Sequence, residues 1–134
     1  LVVLHGDPGA APRDPRAPGL FHVALLVPDR RALADALLRL ARAHWPLSGA
    51  SDHLVSEALY LQAPDNLGIE VYSDRPRTAW RRAGRELMMA TDPLDVQSLL
   101  AAAGNEPWTG MPAGTTTGHV HLHIGDIATG SAFY

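Results

Sequence analysis

Phe21-His22-Val23-Ala24-Leu25-Leu26-Val27-Pro28-Asp29 is an apolar run with a histidine near its start and an aspartate at its end. Gly118-His119-Val120-His121-Leu122-His123-Ile124-Gly125-Asp126 repeats the arrangement. Aligning Asp29 with Asp126 places His22 on His119, and an apolar helical run follows each aspartate. Between the copies lies Gly68-Ile69-Glu70-Val71-Tyr72, a strand pattern with a carboxylate at its centre. A strand, a capping aspartate and a helix that occur twice predict a duplicated module. His22, Glu70 and His119 are its candidate metal ligands.

Working outward, residues 20–27 read as a strand of nearly continuous hydrophobicity, covered on both faces. Asp29 is placed to cap a helix over residues 30–44, in which Leu33, Ala36, Leu37, Leu40 and Ala41 form an apolar stripe. Pro46 and Gly49 end it. Three strands are expected next, over residues 52–55, 57–62 and 68–73, with Pro64-Asp65-Asn66 as a turn. Residues 76–85 read as a crossing segment. Asp92-Pro93 is the expected start of a second helix, aspartate as N-cap and proline at the first helical position. A strand over residues 119–124 and the opening of a helix from Ile127 complete the chain. Residues 1–5 read as a strand, and residues 10–19, rich in proline, as an extended linker.

The expected organisation therefore has four parts. Residues 1–19 hold the last strand of a preceding module and a linker, and residues 20–76 a complete βαβββ module. Residues 77–117 cross over with a helix, and residues 118–134 begin a truncated following module. A helix stopping there would leave carbonyls unpaired and an apolar face half covered, which reads as a piece of something longer. The fold class is α+β.

Period-2 geometry puts His22, Ala24 and Leu26 on one strand face, and Gly68, Glu70 and Tyr72 on one face of theirs. A glutamate within an apolar strand is costly to bury unless a cation or donor meets it. A metal would serve, and so would an arginine partner. His119, His121 and His123 alternate with Val120, Leu122 and Ile124, so all three point one way. Same-face neighbours lie about 6.8 Å apart, too far for three consecutive ligands to one ion. His119 is favoured by its alignment with His22, leaving His121 and His123 as outer donors or a pocket wall. His53, beside a short strand, is the candidate proton-transfer residue. The adjacency of Asp52 proves nothing about that role, because adjacent strand residues face opposite sides. His5 and His44 close a strand and a helix, and Trp80 and Trp108 read as packing anchors.

Composition narrows the function. With 46% hydrophobic and 19% charged residues, the chain is expected to be globular. A net charge of -3 argues against nucleic acid or an anionic membrane as partner. No apolar run approaches the roughly 20 residues of a membrane helix, and the N-terminus does not read as a signal peptide. A cytoplasmic location is expected. Zero cysteines rule out thiolate ligands and nucleophiles, so nitrogen and oxygen must hold any metal, and seven histidines are available. No Gly-rich phosphate loop, nucleophile elbow or zinc-protease helix is present. Two histidines and a carboxylate with open positions are the donor set of non-haem Fe(II) oxygenases; the same set suits Mn, Zn or Ni.

These residues resemble the vicinal oxygen chelate superfamily, and within it the ring-cleaving, catechol-2,3-dioxygenase-like branch. The likeness covers almost the whole chain. It is most specific in residues 19–28, in Gly49-Ala50-Ser51-Asp52-His53-Leu54-Val55-Ser56-Glu57-Ala58-Leu59-Tyr60-Leu61, in residues 68–76 and in Gly118-His119-Val120-His121-Leu122-His123. One departure is Ala63-Pro64-Asp65-Asn66-Leu67-Gly68, where the family usually has Asp-Pro-Asp-Gly-Asn; it alters a turn. The resemblance implies a metal in a cleft between two modules, held by His22 and Glu70 from the complete module and by His119 from the next. It implies an Fe(II)-dependent extradiol dioxygenase acting on a catecholic aromatic substrate with O2. Two pairings stay open: the complete module with its predecessor, or with the following one, within one chain or between copies in a homo-oligomer. The same scaffold also supports glyoxalase-like isomerisation or lysis, thiol addition to an epoxide, and metal-free drug sequestration. A non-catalytic binding module is the alternative from another class.

Overall fold

A computed structural model describes residues 2–11, 14 and 16–134. The chain runs through β1 (Gly19–Leu26), α1 (Arg30–Arg42), β2 (Gly49–Asp52), β3 (Ser56–Gln62) and β4 (Gly68–Asp74). That is the expected order of strand, helix and three strands. A single 3-10 turn, Arg77–Ala79, leads to a small ribbon of β5 (Arg82–Ala83) and β6 (Glu86–Leu87). Then come β7 (Asp92–Pro93), α2 (Val96–Leu100), β8 (Thr116–His123) and α3 (Ile127–Phe133).

The fold is α+β. Its six-stranded sheet has the order β7-β2-β3-β4-β1-β8. β1 and β4 are parallel, as the α1 crossover requires, and every other pair is antiparallel. The sheet's middle is therefore β3, β4 and β1, while β8 forms one edge.

α1 forms where its cap and stripe put it. The Asp29 carboxylate accepts the Ala32 N–H at 2.8 Å, satisfying one of the free donors of the first turn. Leu33 and Leu37 pack with Leu59, Val71, Leu94 and Leu99 to make the core. Leu33, Leu59 and Leu99 are fully buried, each contributing about 1.5–3 kcal/mol by leaving water. The helix stops at Arg42, two residues short of expectation, because His44 takes a φ of 54°.

Other differences have local causes. β2 begins at Gly49 and ends at Asp52, and the other residues expected in its strand, 53–55, make a turn instead, with Leu54 at φ 68°. Asp92-Pro93 pairs with β2 at the sheet edge, where proline's missing N–H costs nothing. The helix after it is capped by Asp95, which accepts the Ser98 N–H at 2.9 Å. Residues 2–5 form no strand, and Val2, Val3 and Leu4 are exposed; Leu1 lies outside the described residues. In the expected linker, Pro12, Arg13 and Pro15 also lie outside them. Only His22 and Ala24 are buried within β1, so that strand is not covered throughout. Among the described residues, no helix is long and apolar enough to cross a membrane.

Candidate metal centre

Three adjacent strands each contribute one side chain. On β4 and β8, Glu70 and His119 stand on either side of Ala24 of β1, which pairs with both. Two strand spacings, roughly 9.6 Å, separate their backbones. A methyl group at Ala24 leaves the space above it open, and the long side chains close over it: His119 Nε2 lies 3.2 Å from Glu70 Oε2. His22 belongs to the next rank, opposite Gly68. Its Nε2 lies 3.0 Å from the same carboxylate oxygen and 3.3 Å from His119 Nε2.

These separations fit a metal ion. With metal–ligand bonds of about 2.1 Å, neighbouring donor atoms sit roughly 3.0–3.4 Å apart in octahedral or tetrahedral coordination. Among the described residues, His22, Glu70 and His119 are the one group of three such side chains with ligand atoms within 4.8 Å of one another. Glu70 and His22 are buried, while the His119 side chain is 46% exposed, so the group opens to solvent on that side. Burial pushes the His22 imidazole down to about 4, and His121 and His119 push the same way. At neutral pH it is an uncharged ring with a lone pair to offer.

The arginine alternative for Glu70 is taken up by a different glutamate. Glu57, also buried, meets Arg30 Nε at 2.6 Å and Arg75 Nη2 at 3.2 Å. Glu70 meets His22, His119 and the Tyr60 hydroxyl. Tyr60 lies directly opposite Glu70 in the β3–β4 register, its hydroxyl 3.3 Å from Glu70 Oε1. Burial and the Glu70 carboxylate push the phenol well above its ordinary range, so it remains a donor. Sequence reading passed over Tyr60. The signal was available, because the turn pairing Gln62 with Gly68 fixes Tyr60 opposite Glu70.

His53 reaches this centre through Tyr60. Its Nε2 is 2.8 Å from the Tyr60 hydroxyl and its Nδ1 2.7 Å from the Ala90 carbonyl. A carbonyl only accepts, so Nδ1 carries the hydrogen. His121 and His123 take no part in the group of three. His121 sets its ring edge-on to His22, 4.8 Å between centroids, and His123 stacks on Phe21 at 4.3 Å. Phe21 is the unmatched residue at a bulge in the β1–β8 pairing. Trp80 anchors the crossing segment, donating Nε1–H to the Arg75 carbonyl at 2.9 Å. A cavity of about 480 Å³ opens beside the centre, with His22, His53, Tyr60, His121, Phe21 and Ile69 on its wall.

Gly68 makes room for His22. A Cβ there would stand 2.6 Å from the Phe21 carbonyl oxygen and 2.8 Å from the His22 Cβ. Gly68→Ala is expected to destabilise the fold by about 1–3 kcal/mol, as overpacking does, and to weaken metal binding by displacing His22. Urea unfolding with metal titration checks this. Gly49→Ala is the control, its added methyl meeting only an ordinary 3.7 Å contact with Tyr60.

Comparison with known proteins adds one relative. The chain is 46% identical over 137 aligned residues to a protein of Bacillus subtilis (strain 168) named catechol-2,3-dioxygenase; the alignment covers 100% of this chain and 47% of that protein. The chain thus spans about half the length of the curated relative it matches. No protein-family model matches it, and no solved structure does. The relative carries the name of the branch that the sequence resembles.

Proposed function

We propose that this chain carries the metal-binding part of an extradiol-type, ring-cleaving dioxygenase, with His22, Glu70 and His119 as ligands and His53 as the proton-transfer residue. The observation that carries the reading is the convergence of three N/O donors from three adjacent strands at metal-bridging separations. The 46% identity to a protein named catechol-2,3-dioxygenase supports the reaction class. Fe(II) is the preferred metal, ahead of Mn, Zn or Ni, and a catecholic aromatic with O2 the preferred substrate pair. Bound there, Fe(II) would supply open coordination positions and the one-electron chemistry that O2 needs.

The chain's own residues would do the rest. Phe21 and Ile69 offer apolar wall to an aromatic ring in the cavity. A catechol that binds as an anion must lose a proton, and the His53–Tyr60 pair has a place for it. With His53 neutral, Nε2 accepts the Tyr60 hydrogen. With His53 protonated, Nε2–H donates to Tyr60, which turns its own hydrogen to Glu70. One reversed hydrogen bond stores the proton beside the reacting centre.

The module division belongs to the same proposal. Residues 20–76 form the complete module, residues 1–19 and 118–134 parts of its neighbours, and residues 77–117 the crossing. A cytoplasmic setting and pairing of modules, within one chain or in a homo-oligomer, complete the reading.

Metal analysis of the purified protein, followed by Fe(II) restoration under anaerobic conditions and addition of catechol and O2, tests it. The expected result is one metal per chain and O2 uptake that follows the restored iron. No stoichiometric metal and no response to Fe(II) would overturn the proposal.

A further inference from the structure

A group of charged residues off the metal centre holds the turn that carries His53. Residues 52–56 link β2 to β3, with Leu54 at φ 68°, a conformation that a leucine adopts only when its surroundings impose it. Asp52 turns away from His53 and does two things. Its Oδ1 accepts the Leu54 N–H at 2.8 Å, and its two oxygens receive Arg75 Nη1 at 3.3 Å and Nη2 at 2.7 Å. Arg75 also reaches Glu57 at 3.2 Å, and its backbone N–H donates to the Val55 carbonyl at 2.7 Å. Glu57 is held in turn by Arg30 at 2.6 Å. The turn is thus gripped from the Arg75 side at Asp52, Val55 and Glu57. His53 itself donates its N–H to the Ser56 carbonyl at 2.9 Å, and its ring is stretched between Ala90 and Tyr60.

We propose that Arg75 is a positioning residue for His53, acting through Asp52 to hold the 52–56 turn so that the imidazole spans the Ala90 carbonyl and the Tyr60 hydroxyl. The use of that position rests on the proton-transfer role proposed above for His53. A bidentate guanidinium–carboxylate pair fixes direction as well as distance, which a lysine ammonium cannot do. The grip lies on the side of the turn away from the ligands, so its loss should free the His53 ring and leave the metal centre assembled.

The test uses the whole chain with 15N-labelled histidine and the variants Arg75→Lys, Asp52→Ala and the double variant. At a pH where the ring is neutral, the two His53 ring nitrogens of the parent are expected to resonate far apart, Nδ1 protonated and Nε2 not. In each single variant their separation should fall by about half as the two tautomers mix. The double variant should show no further change, because Arg75 acts through Asp52. Zn(II) titration of the same samples should give affinities within about 3-fold of the parent, well inside the loss that follows when a metal's supporting groups are disturbed. Should Arg75→Lys fail to fold, Asp52→Ala still decides: an unchanged His53 tautomer overturns the proposal. Additive changes in the double variant, or a parallel loss of Zn(II) affinity, overturn it as well. The Zn(II) result in the parent tests the metal centre separately, so failure there is distinct from failure of the Arg75 role.

Discussion

Glu70→Ala is expected to abolish stoichiometric metal binding. Glu70 is the hub of the candidate centre, since one oxygen meets both histidines, at 3.0 and 3.2 Å, and the other lies 3.3 Å from the Tyr60 hydroxyl. Alanine removes one of the three proposed ligands and the one carboxylate among them, leaving two imidazoles to hold a divalent cation in a partly desolvated site. The loss should exceed the 10–100-fold that disturbing an outer partner costs. Glu70→Gln separates charge from shape: it keeps the volume and an oxygen, and it should bind nearly as poorly as alanine. Isothermal titration with Zn(II) or anaerobic Fe(II), together with metal analysis, reads the effect. Glu57→Gln, which alters a buried carboxylate held by arginines, should leave affinity in place. Metal retained by Glu70→Ala would mean that the carboxylate is not a ligand.

The second large effect is expected at His53. His53→Gln should lower kcat by about 10²–10⁴-fold, the range of a general acid–base residue, with metal content unchanged. Glutamine can still hydrogen-bond to Tyr60 but cannot take up a proton near neutral pH. The loss should therefore fall on kcat and leave KM within a few-fold. Oxygen uptake with catechol at several pH values checks it. If KM rises while kcat holds, His53 binds substrate and does not handle its proton.

The order of strand, helix and three strands was legible because its signals are local. Asp29 at the head of the α1 stripe, the glycine and proline breaks after it, and Gly68 before an apolar strand each act over a few residues. The second helix was misplaced for a related reason. Asp92 and Asp95 are both sound N-caps, and only the pairing of Asp92-Pro93 with β2 separates them. The centre was legible in residue type and obscure in arrangement. Aligning His22 with His119 marked equivalent places in two copies, whereas in the sheet His22 faces His121 and His119 faces Ala24. Two bulges, at Phe21 and Gly118, set that register, and Tyr72 packs over Gly118 where any side chain would collide. Such a close approach has no trace in strand periodicity. The Glu57–Arg30–Arg75–Asp52 group was equally hidden, since its members come from four separate places in the chain.

His119 rides on an edge strand. β8 pairs with β1 alone, seven of its eight residues are exposed, and α3 beyond it has no buried residue. Glu70 and His22 sit on interior strands whose docking the core enforces. Two of the donors are thus standing furniture, while the third can serve only in the fraction of molecules whose β8 lies zipped to its neighbour. Apparent affinity is the intrinsic affinity multiplied by that fraction. On the proposed assignment, whatever raises the share of molecules with β8 on the sheet edge should register as tighter metal binding, without touching a proposed ligand.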